Sequence, residues 1–174
     1  MLGPGTIGLL CAQFARAAGA EVHVLGRSPS SLELATSLGI DGAWTADRLP
    51  ALAWHSVIDA SDATALPQRA VELVEPAGRV VFVGIASEPS LVDSRTLARK
   101  DVTAVGILGA SLGIENTIAA YASGAVDPAP LASAVIGLDD VARALEGWRP
   151  PDAKDAPKLL VDPRLSAGHR TAAY

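Results

Sequence analysis

The sequence predicts a doubly wound α/β fold built on a parallel sheet, and three observations predict it. The chain opens on Gly3, Gly5 and Gly8, a G-x-G-x-x-G spacing that runs straight into an amphipathic stretch. Strand-like and helix-like segments then alternate five or six times. Apolar residues make up 49% of the 174, and mean hydropathy is +0.31. A sheet buried on both faces needs such continuous apolar strands, and an apolar face meant for a partner domain would add to the same total.

The elements follow in order. Residues 7–18 set Leu10, Phe14 and Ala17 or Ala18 at i, i+4 and i+7 spacing, with Gly19 as the C-terminal stop. Ahead of the glycines the expected first strand is truncated to Met1 and Leu2. Residues 21–25 form a short β-rich run. Ser28 is placed to cap a second helix whose first position is Pro29, where a fixed φ and a missing N–H do no harm. Leu32, Leu34, Ala35 and Leu38 give that helix its buried stripe, and Gly39 ends it. Residues 43–45 and 56–59 read as strands, and 66–73 as a helix closed by Pro76-Ala77-Gly78. Residues 79–83 and 102–108 are apolar strands, and 114–122 is a helix ending at Gly124. Asp139 or Asp140 caps a short helix over 141–145, and 158–161 is a last strand after a Pro-rich loop at 150–157. The predicted domain covers 1–163, and the tail 164–174 reads as frayed.

Composition excludes several classes of function. A net charge of −5, a pI near 5.1 and 4% aromatic residues argue against nucleic acid or an anionic membrane as partner. The single cysteine, Cys11, allows no intrachain disulfide, so a reducing compartment, the cytoplasm, is expected. The apolar run at 7–12 is short and has no Lys or Arg before it, unlike a secretory signal. No stretch reaches the roughly 18 apolar residues of a membrane span.

The opening glycines point to a dinucleotide site of the Rossmann fold. Gly3 permits a tight turn, Gly5 lets the backbone approach a pyrophosphate, and Gly8 lets the helix pack on the sheet. The N–H groups of the first helical residues, Thr6, Ile7 and Gly8, and the positive end of the helix would meet the phosphates. The alternative is a glycine-rich turn without a ligand. At the end of the second strand an NAD site carries an acid for the ribose hydroxyls, but this chain has Gly26, Arg27 and Ser28. Asp41 lies too far on, and Glu21 sits at the wrong end of the strand. Gly26 leaves room for a 2′-phosphate and Arg27 can pair with it, which favours NADP(H) over NAD(H). The competing reading makes Arg27 a solvated loop residue.

Several segments in order resemble the cofactor-binding domain of the zinc-type medium-chain alcohol and polyol dehydrogenases. They are Gly3-Pro4-Gly5-Thr6-Ile7-Gly8, the stretch from Leu32 to Gly39, Val57-Ile58-Asp59-Ala60-Ser61, the stretch from Gly78 to Gly84, and the one from Leu138 to Leu145. The resemblance implies further contacts. The turn at Asp59, Ala60 and Ser61 would lie near a ribose, and backbone groups of Val83, Gly84 and Ile85 would face the nicotinamide. Ile107, Leu108 and Gly109 would close over its carboxamide, and Lys158 would stand near the pyrophosphate. Each of these positions also fits a plain need for small residues at strand ends.

The resemblance also implies what lies elsewhere. Family members carry an N-terminal barrel-like domain that holds the catalytic zinc and much of the substrate pocket. None of its pattern is present in these residues, so no catalytic residue and no zinc ligand is assigned. His23, His55 and His169 show no H-x-x-x-H or Cys–His spacing. His23 reads as a core or interface residue, His55 as solvated, and Cys11 as a packed apolar residue. Tyr121 is followed four places on by Ala125 rather than Lys, which speaks against the short-chain dehydrogenases. The Gly-Pro-Gly loop fits the zinc-type branch better than the zinc-free quinone reductases.

The first reading is therefore an NAD(P)(H)-binding domain of a zinc-type dehydrogenase, not competent in catalysis alone. A separate catalytic half, or a homodimer through the edge strand at 102–108, would be its partner. The second is a non-catalytic dinucleotide-sensing or docking module, and the third a non-functional remnant. Three missing Val or Ile side chains of the first strand, at roughly 1.5–3 kcal/mol each, compare with a whole domain's margin of about 5–15 kcal/mol. The isolated chain is thus expected to be marginal or to borrow a strand.

Overall fold

A computed structural model describes residues 1–109 and 111–165. The first elements are α1 (Thr6–Ala17), β1 (His23–Leu25), α2 (Pro29–Ser37), β2 (Gly42–Trp44), β3 (Trp54–Asp59) and α3 (Leu66–Leu73). Then come β4 (Val74–Phe82), α4 (Ser94–Arg99), β5 (Thr103–Gly106), α5 (Ile114–Ala122), β6 (Ala132–Ile136), α6 (Val141–Leu145) and β7 (Lys158–Val161). The chain divides into two compact units, Met1–Val126 and a second beginning at Asp127.

In the first unit β1 pairs with β2, and β3 with β4 and β4 with β5, all in parallel. Leu2 joins the two groups through parallel bridges to Leu25 and Asp59. Its N–H donates to the Ile58 carbonyl at 2.8 Å, and its own carbonyl accepts from the Ala60 N–H at 2.9 Å. On the other side the Leu25 N–H reaches the Met1 carbonyl at 2.8 Å and the Gly3 N–H reaches the Leu25 carbonyl at 3.0 Å. The lateral order is β2–β1–Leu2–β3–β4–β5. With Leu2 counted as the first strand position, this is the 3-2-1-4-5-6 order of a doubly wound sheet.

The core explains the elements and corrects some expectations. Leu2, Leu25, Val57, Ala70, Val71, Val74 and Val80 form one buried cluster under Trp44, Trp54 and Leu73. The buried face of α1 is Gly8, Leu9 and Ala12, not the predicted Leu10, Phe14 and Ala17 stripe. Small residues there let the helix approach the sheet closely, and Phe14 instead meets Tyr121, with ring centroids 6.0 Å apart. In α2 only Ala35 is fully buried; Leu32, Leu34 and Leu38 are half-buried. Strand β1 is shorter than predicted because the Val22 N–H is taken by the Asp41 carboxylate at 2.8 Å.

Strand β4 is longer than predicted. It begins directly after α3 and crosses Pro76-Ala77-Gly78, where the register against β3 shifts. A Cβ on Gly78 would stand 2.8 Å from the His55 carbonyl oxygen, and Ala77 turns to φ +61°. Helix α4 and strand β6 were not predicted. The α4 run has little apolar periodicity and is held by its cap: the Asp93 carboxylate accepts from the Arg95 N–H at 3.0 Å. All five β6 residues are buried, so no alternation marks them as a strand.

In the second unit β6 and β7 pair in parallel, and Leu165 packs on Ala132 and Val135. Asp140 precedes α6 as its cap residue, but its carboxylate makes no cap bond; it pairs with Arg143 at 3.1 Å. Of the tail, Arg164 grips Asp162 at 2.8 Å, holding that carboxyl down at about 2, first through the side-chain hydrogen bond. Residues 166–174 lie outside the described residues. Among the described residues no helix is long and apolar enough to cross a membrane.

Candidate functional site

Because every pairing in the first unit is parallel, the carboxyl ends of its strands share one edge. Gly3 follows Leu2, Gly26 follows β1, Ala60 follows β3, Val83 follows β4 and Ile107 follows β5. The chain leaves Leu2 between two neighbours reached by connections of opposite direction, so a crevice opens there.

The three glycines serve three different needs. Gly3 has φ +87°, a left-handed conformation that side chains disfavour. A Cβ on it would also press to 3.1 Å from the Ala60 carbonyl and the Ser61 Cα. A Cβ on Gly8 would overlap the Gly3 carbonyl oxygen. Around the missing Cβ of Gly5 there is nothing within 4 Å, so this side of the turn is open. Gly5 is the N-cap of α1 and gives it no side-chain cap, which leaves the first-turn N–H groups of Thr6, Ile7 and Gly8 without a side-chain partner of that kind. An anionic oxygen fits this arrangement, because it meets open backbone and the positive end of a twelve-residue helix.

Gly26 has a different role from the one its position suggested. A Cβ there would stand 2.6 Å from Pro4 Cγ and 3.0 Å from Leu32 Cδ2. The space is filled by packing between the first loop and α2, not kept for a phosphate. Pro4 was not singled out in the sequence, yet its ring is what requires Gly26. Arg27 is exposed at the end of β1. Ser28 is committed as the α2 cap: its Oγ accepts from the Ser31 N–H at 3.1 Å and contacts Ser30 Oγ at 2.9 Å.

Asp59, only 2% exposed, organises the next part of the edge. Its Oδ1 accepts from Ser61 Oγ at 2.7 Å and from the Ser61 N–H at 3.1 Å. Its carbonyl accepts from the N–H groups of Val83 at 2.8 Å and Gly84 at 2.9 Å. Gly84 lies so close to the Ser61 backbone that a Cβ would be 2.6 Å from the Ser61 nitrogen. Ile85 is 69% and Leu108 86% exposed, with Ile107 held by an N–H bond to the Phe82 carbonyl at 2.9 Å. The structure thus brings together Gly3, Gly5, Thr6, Ile7, Gly8, Ala60, Ser61, Val83 and Gly84. Lys158 opens β7 in the second unit and is exposed.

The histidines and the cysteine are otherwise engaged. His23 Nδ1 accepts from the Trp44 indole N–H at 2.9 Å, and Nε2 pairs with Glu21 at 2.9 Å. His55 lies within β3 rather than before it, is exposed, and stands 3.5 Å from Glu75. Burial pushes the Cys11 thiol up. Among the described residues no three His, Cys, Asp or Glu side chains gather to hold a metal ion, so the donor set here does not fit a catalytic zinc. His169 lies outside the described residues.

Residues 6–123 match a family model described as zinc-binding dehydrogenase. Among solved structures, the chain is similar to a zinc-binding dehydrogenase of Sinorhizobium meliloti 1021 bound to NADP. The TM-score is 0.81 and identity 24%, over 93% of this chain and 51% of that one. The alcohol dehydrogenase of Thermus sp. ATN1 gives 0.76 and 29%, over 92% and 51%. A short chain alcohol dehydrogenase of Escherichia coli CFT073 complexed with NADH gives 0.76 and 26%, over 83% and 46%. The chain spans about half the length of the solved chains it matches.

Proposed function

The chain belongs to the zinc-binding dehydrogenases as a cofactor-binding domain of that family, and we propose that it serves an alcohol or polyol dehydrogenase that prefers NADP(H) over NAD(H). The observation that carries the reading is the open Gly5 turn, at the switch point of the parallel sheet and at the uncapped start of α1. The bound nicotinamide would supply hydride transfer to or from a primary or secondary alcohol and its carbonyl partner. This chain's residues bind and orient. Thr6, Ile7 and Gly8 would hold the pyrophosphate, and Ala60 and Ser61 would meet a ribose. Val83, Gly84, Ile85, Ile107 and Leu108 would bound the nicotinamide side. The described donor set gives zinc no seat, so no step through a metal is drawn from these residues.

The preference for NADP(H) rests on Arg27 and on the lack of an acid in Gly26-Arg27-Ser28. Gly26 does not add to it, since its space is taken by Pro4. Strand β5 is the last of its sheet among the described residues, which supports a partner strand there, from a second copy of the chain. A cytoplasmic setting is consistent with the single, half-buried free thiol.

Calorimetric titration of the chain with NADPH and NADH tests the reading. Arg27→Asp is expected to weaken NADPH by about 10- to 100-fold, the worth of a charge-assisted pair, and NADH little. Equal losses would remove the NADP preference. A folded chain that binds neither nucleotide would favour the docking-module reading instead.

A further inference from the structure

We infer that His23 is an acid-sensitive latch: its neutral ring ties β1 to β2 through Trp44, and a proton on the ring releases that tie beside the Gly26–Arg27 turn. The reach of the latch to a bound dinucleotide rests on the cofactor reading above; the latch itself does not.

An indole N–H can only donate. Trp44 Nε1 donates to His23 Nδ1 at 2.9 Å, so Nδ1 must present a lone pair. The ring is then the neutral tautomer with its hydrogen on Nε2, which donates to Glu21 Oε1 at 2.9 Å. A second proton has only Nδ1 to go to. There it would point at the indole hydrogen, donor against donor, and the Trp44 bond is lost. Turning the ring over does not restore it, because both nitrogens of an imidazolium carry hydrogens. The His23 side chain is 10% exposed, so little water is at hand to replace that partner.

The surroundings hold the pair in place. The His23 and Trp44 rings lie within 9° of parallel, and Trp54 of β3 meets the His23 ring edge-on, with centroids 4.9 Å apart. A Cβ on Gly42 would overlap His23 Nδ1, so the β2 backbone lies directly against the pair. Strands β1 and β2 are paired over three residues only, from His23 opposite Gly42 to Leu25 opposite Trp44. One side-chain bond is a large addition to so short a ladder. The Trp44 carbonyl also accepts from the Gly26 N–H at 3.0 Å, so a loosened Trp44 loosens the start of the Gly26–Arg27 turn.

The charged groups around His23 set the sign. Glu21 takes the Nε2–H whether the ring is neutral or charged. The Asp41 carboxylate, which feels a charge on His23, is bonded to the Val22 N–H at 2.8 Å. The Met1 amino group donates to the His23 carbonyl, not to the ring, and burial holds it down at about 6. It therefore withdraws stability of its own as the pH falls from about 8 to about 6. Trp54 carries no charge. The latched form holds one proton fewer than the released form, so acid opens the latch and stability falls with it.

The test follows the ¹⁵N-labelled 174-residue chain by NMR from about pH 8 to about pH 5, the range in which histidine changes charge. It reads the His23 ring nitrogens and the protection of the Gly26 amide, taken relative to a free chain at the same pH. Nδ1 is expected to be bare at the alkaline end. Gly26 protection should fall about fivefold as the ring takes up its proton, the scale of one hydrogen bond. Trp44→Phe keeps an aromatic ring and removes the opposing N–H. His23→Asn sets an oxygen where Nδ1 stands and does not titrate. Both should lose the fall and keep only what Met1 contributes. A hydrogen on Nδ1 at the alkaline end, level Gly26 protection while His23 titrates, or an equal fall in Trp44→Phe would overturn the latch. If one variant is unfolded by circular dichroism, the other decides together with the wild-type tautomer. NAD⁺, which has no group titrating in this range, should bind the wild type about fivefold more weakly at the acid end and the variants equally at both. A Gly26 response without an NAD⁺ response overturns the reach to the site. A folded wild-type chain that binds no NAD⁺ at either end overturns the cofactor reading, and the Gly26 response still decides the latch.

Discussion

Glycines along one edge of the sheet can be needed for opposite reasons, and the reasons separate by experiment. A Cβ on Gly5 meets nothing, while a Cβ on Gly84 runs into the backbone of Ser61. Gly5→Ala should leave stability within about 0.5 kcal/mol of wild type, as for an exposed substitution at ordinary φ, but weaken nucleotide binding. Gly84→Ala should cost about 1–3 kcal/mol of stability by overpacking a place where only backbone can give way. Urea melts and calorimetry on the two variants check the pair; a destabilised Gly5→Ala would remove the argument that this side of the turn is open. The glycine spacing was readable in the chain. The purpose of Gly26 was not, because it depends on Pro4, twenty-two residues earlier, folding back over it.

At the scale of elements, the joint between α3, β4 and α4 turns on one lysine. Lys100 Nζ donates to the carbonyls of Val71, Glu72 and Val74, at 3.1, 2.8 and 2.5 Å, so all three of its hydrogens are used. These are the carbonyls at the C-terminal end of α3, where a positive charge also meets the helix dipole. The Lys100 carbonyl in turn accepts from the Ala77 N–H at 2.6 Å. Lys100→Met is expected to lose about 2 kcal/mol, with faster amide exchange in the last turn of α3. Wild-type exchange there would show that solvent replaces the lysine without cost. Helices α3, α5 and α6 were legible from their local apolar spacing, although none of them carries a side-chain cap. Helix α4 was hidden because its capping residue and its single packed leucine, Leu97, give no period. Strand β6 was hidden because uniform burial leaves no alternation to read.

At the scale of the molecule, the two halves of the parallel sheet meet at Leu2. Its side chain is 2% exposed, and its backbone donates to the β3 side and accepts from it, while Met1 and Gly3 serve β1. Leu2→Ala should therefore cost about 2–5 kcal/mol, toward the upper end for a buried leucine, and lower the urea midpoint for the whole first unit. A loss below about 1 kcal/mol would mean that the two strand groups hold together without it. The same residue sets the crevice, since Gly3 leaves the sheet directly from Leu2. Stability of the sheet and position of the glycine turn are thus one property of this chain.

The sequence by itself determined the doubly wound fold, most helix bounds, the glycine turn and the family, because these rest on local periods and the fixed spacing of glycines. It also marked Asp59, Ala60 and Ser61 as a turn worth noting, through their resemblance to a known family. Only the tertiary structure decided how those residues are held. The exclusion of a Cβ at Gly26 and Gly84, the pinning of Ser61 by a buried carboxylate, and the sharing of α3's carbonyls by Lys100 all join residues distant along the chain or buried together. Such contacts depend on which backbones meet in space, and a linear pattern carries no measure of that distance.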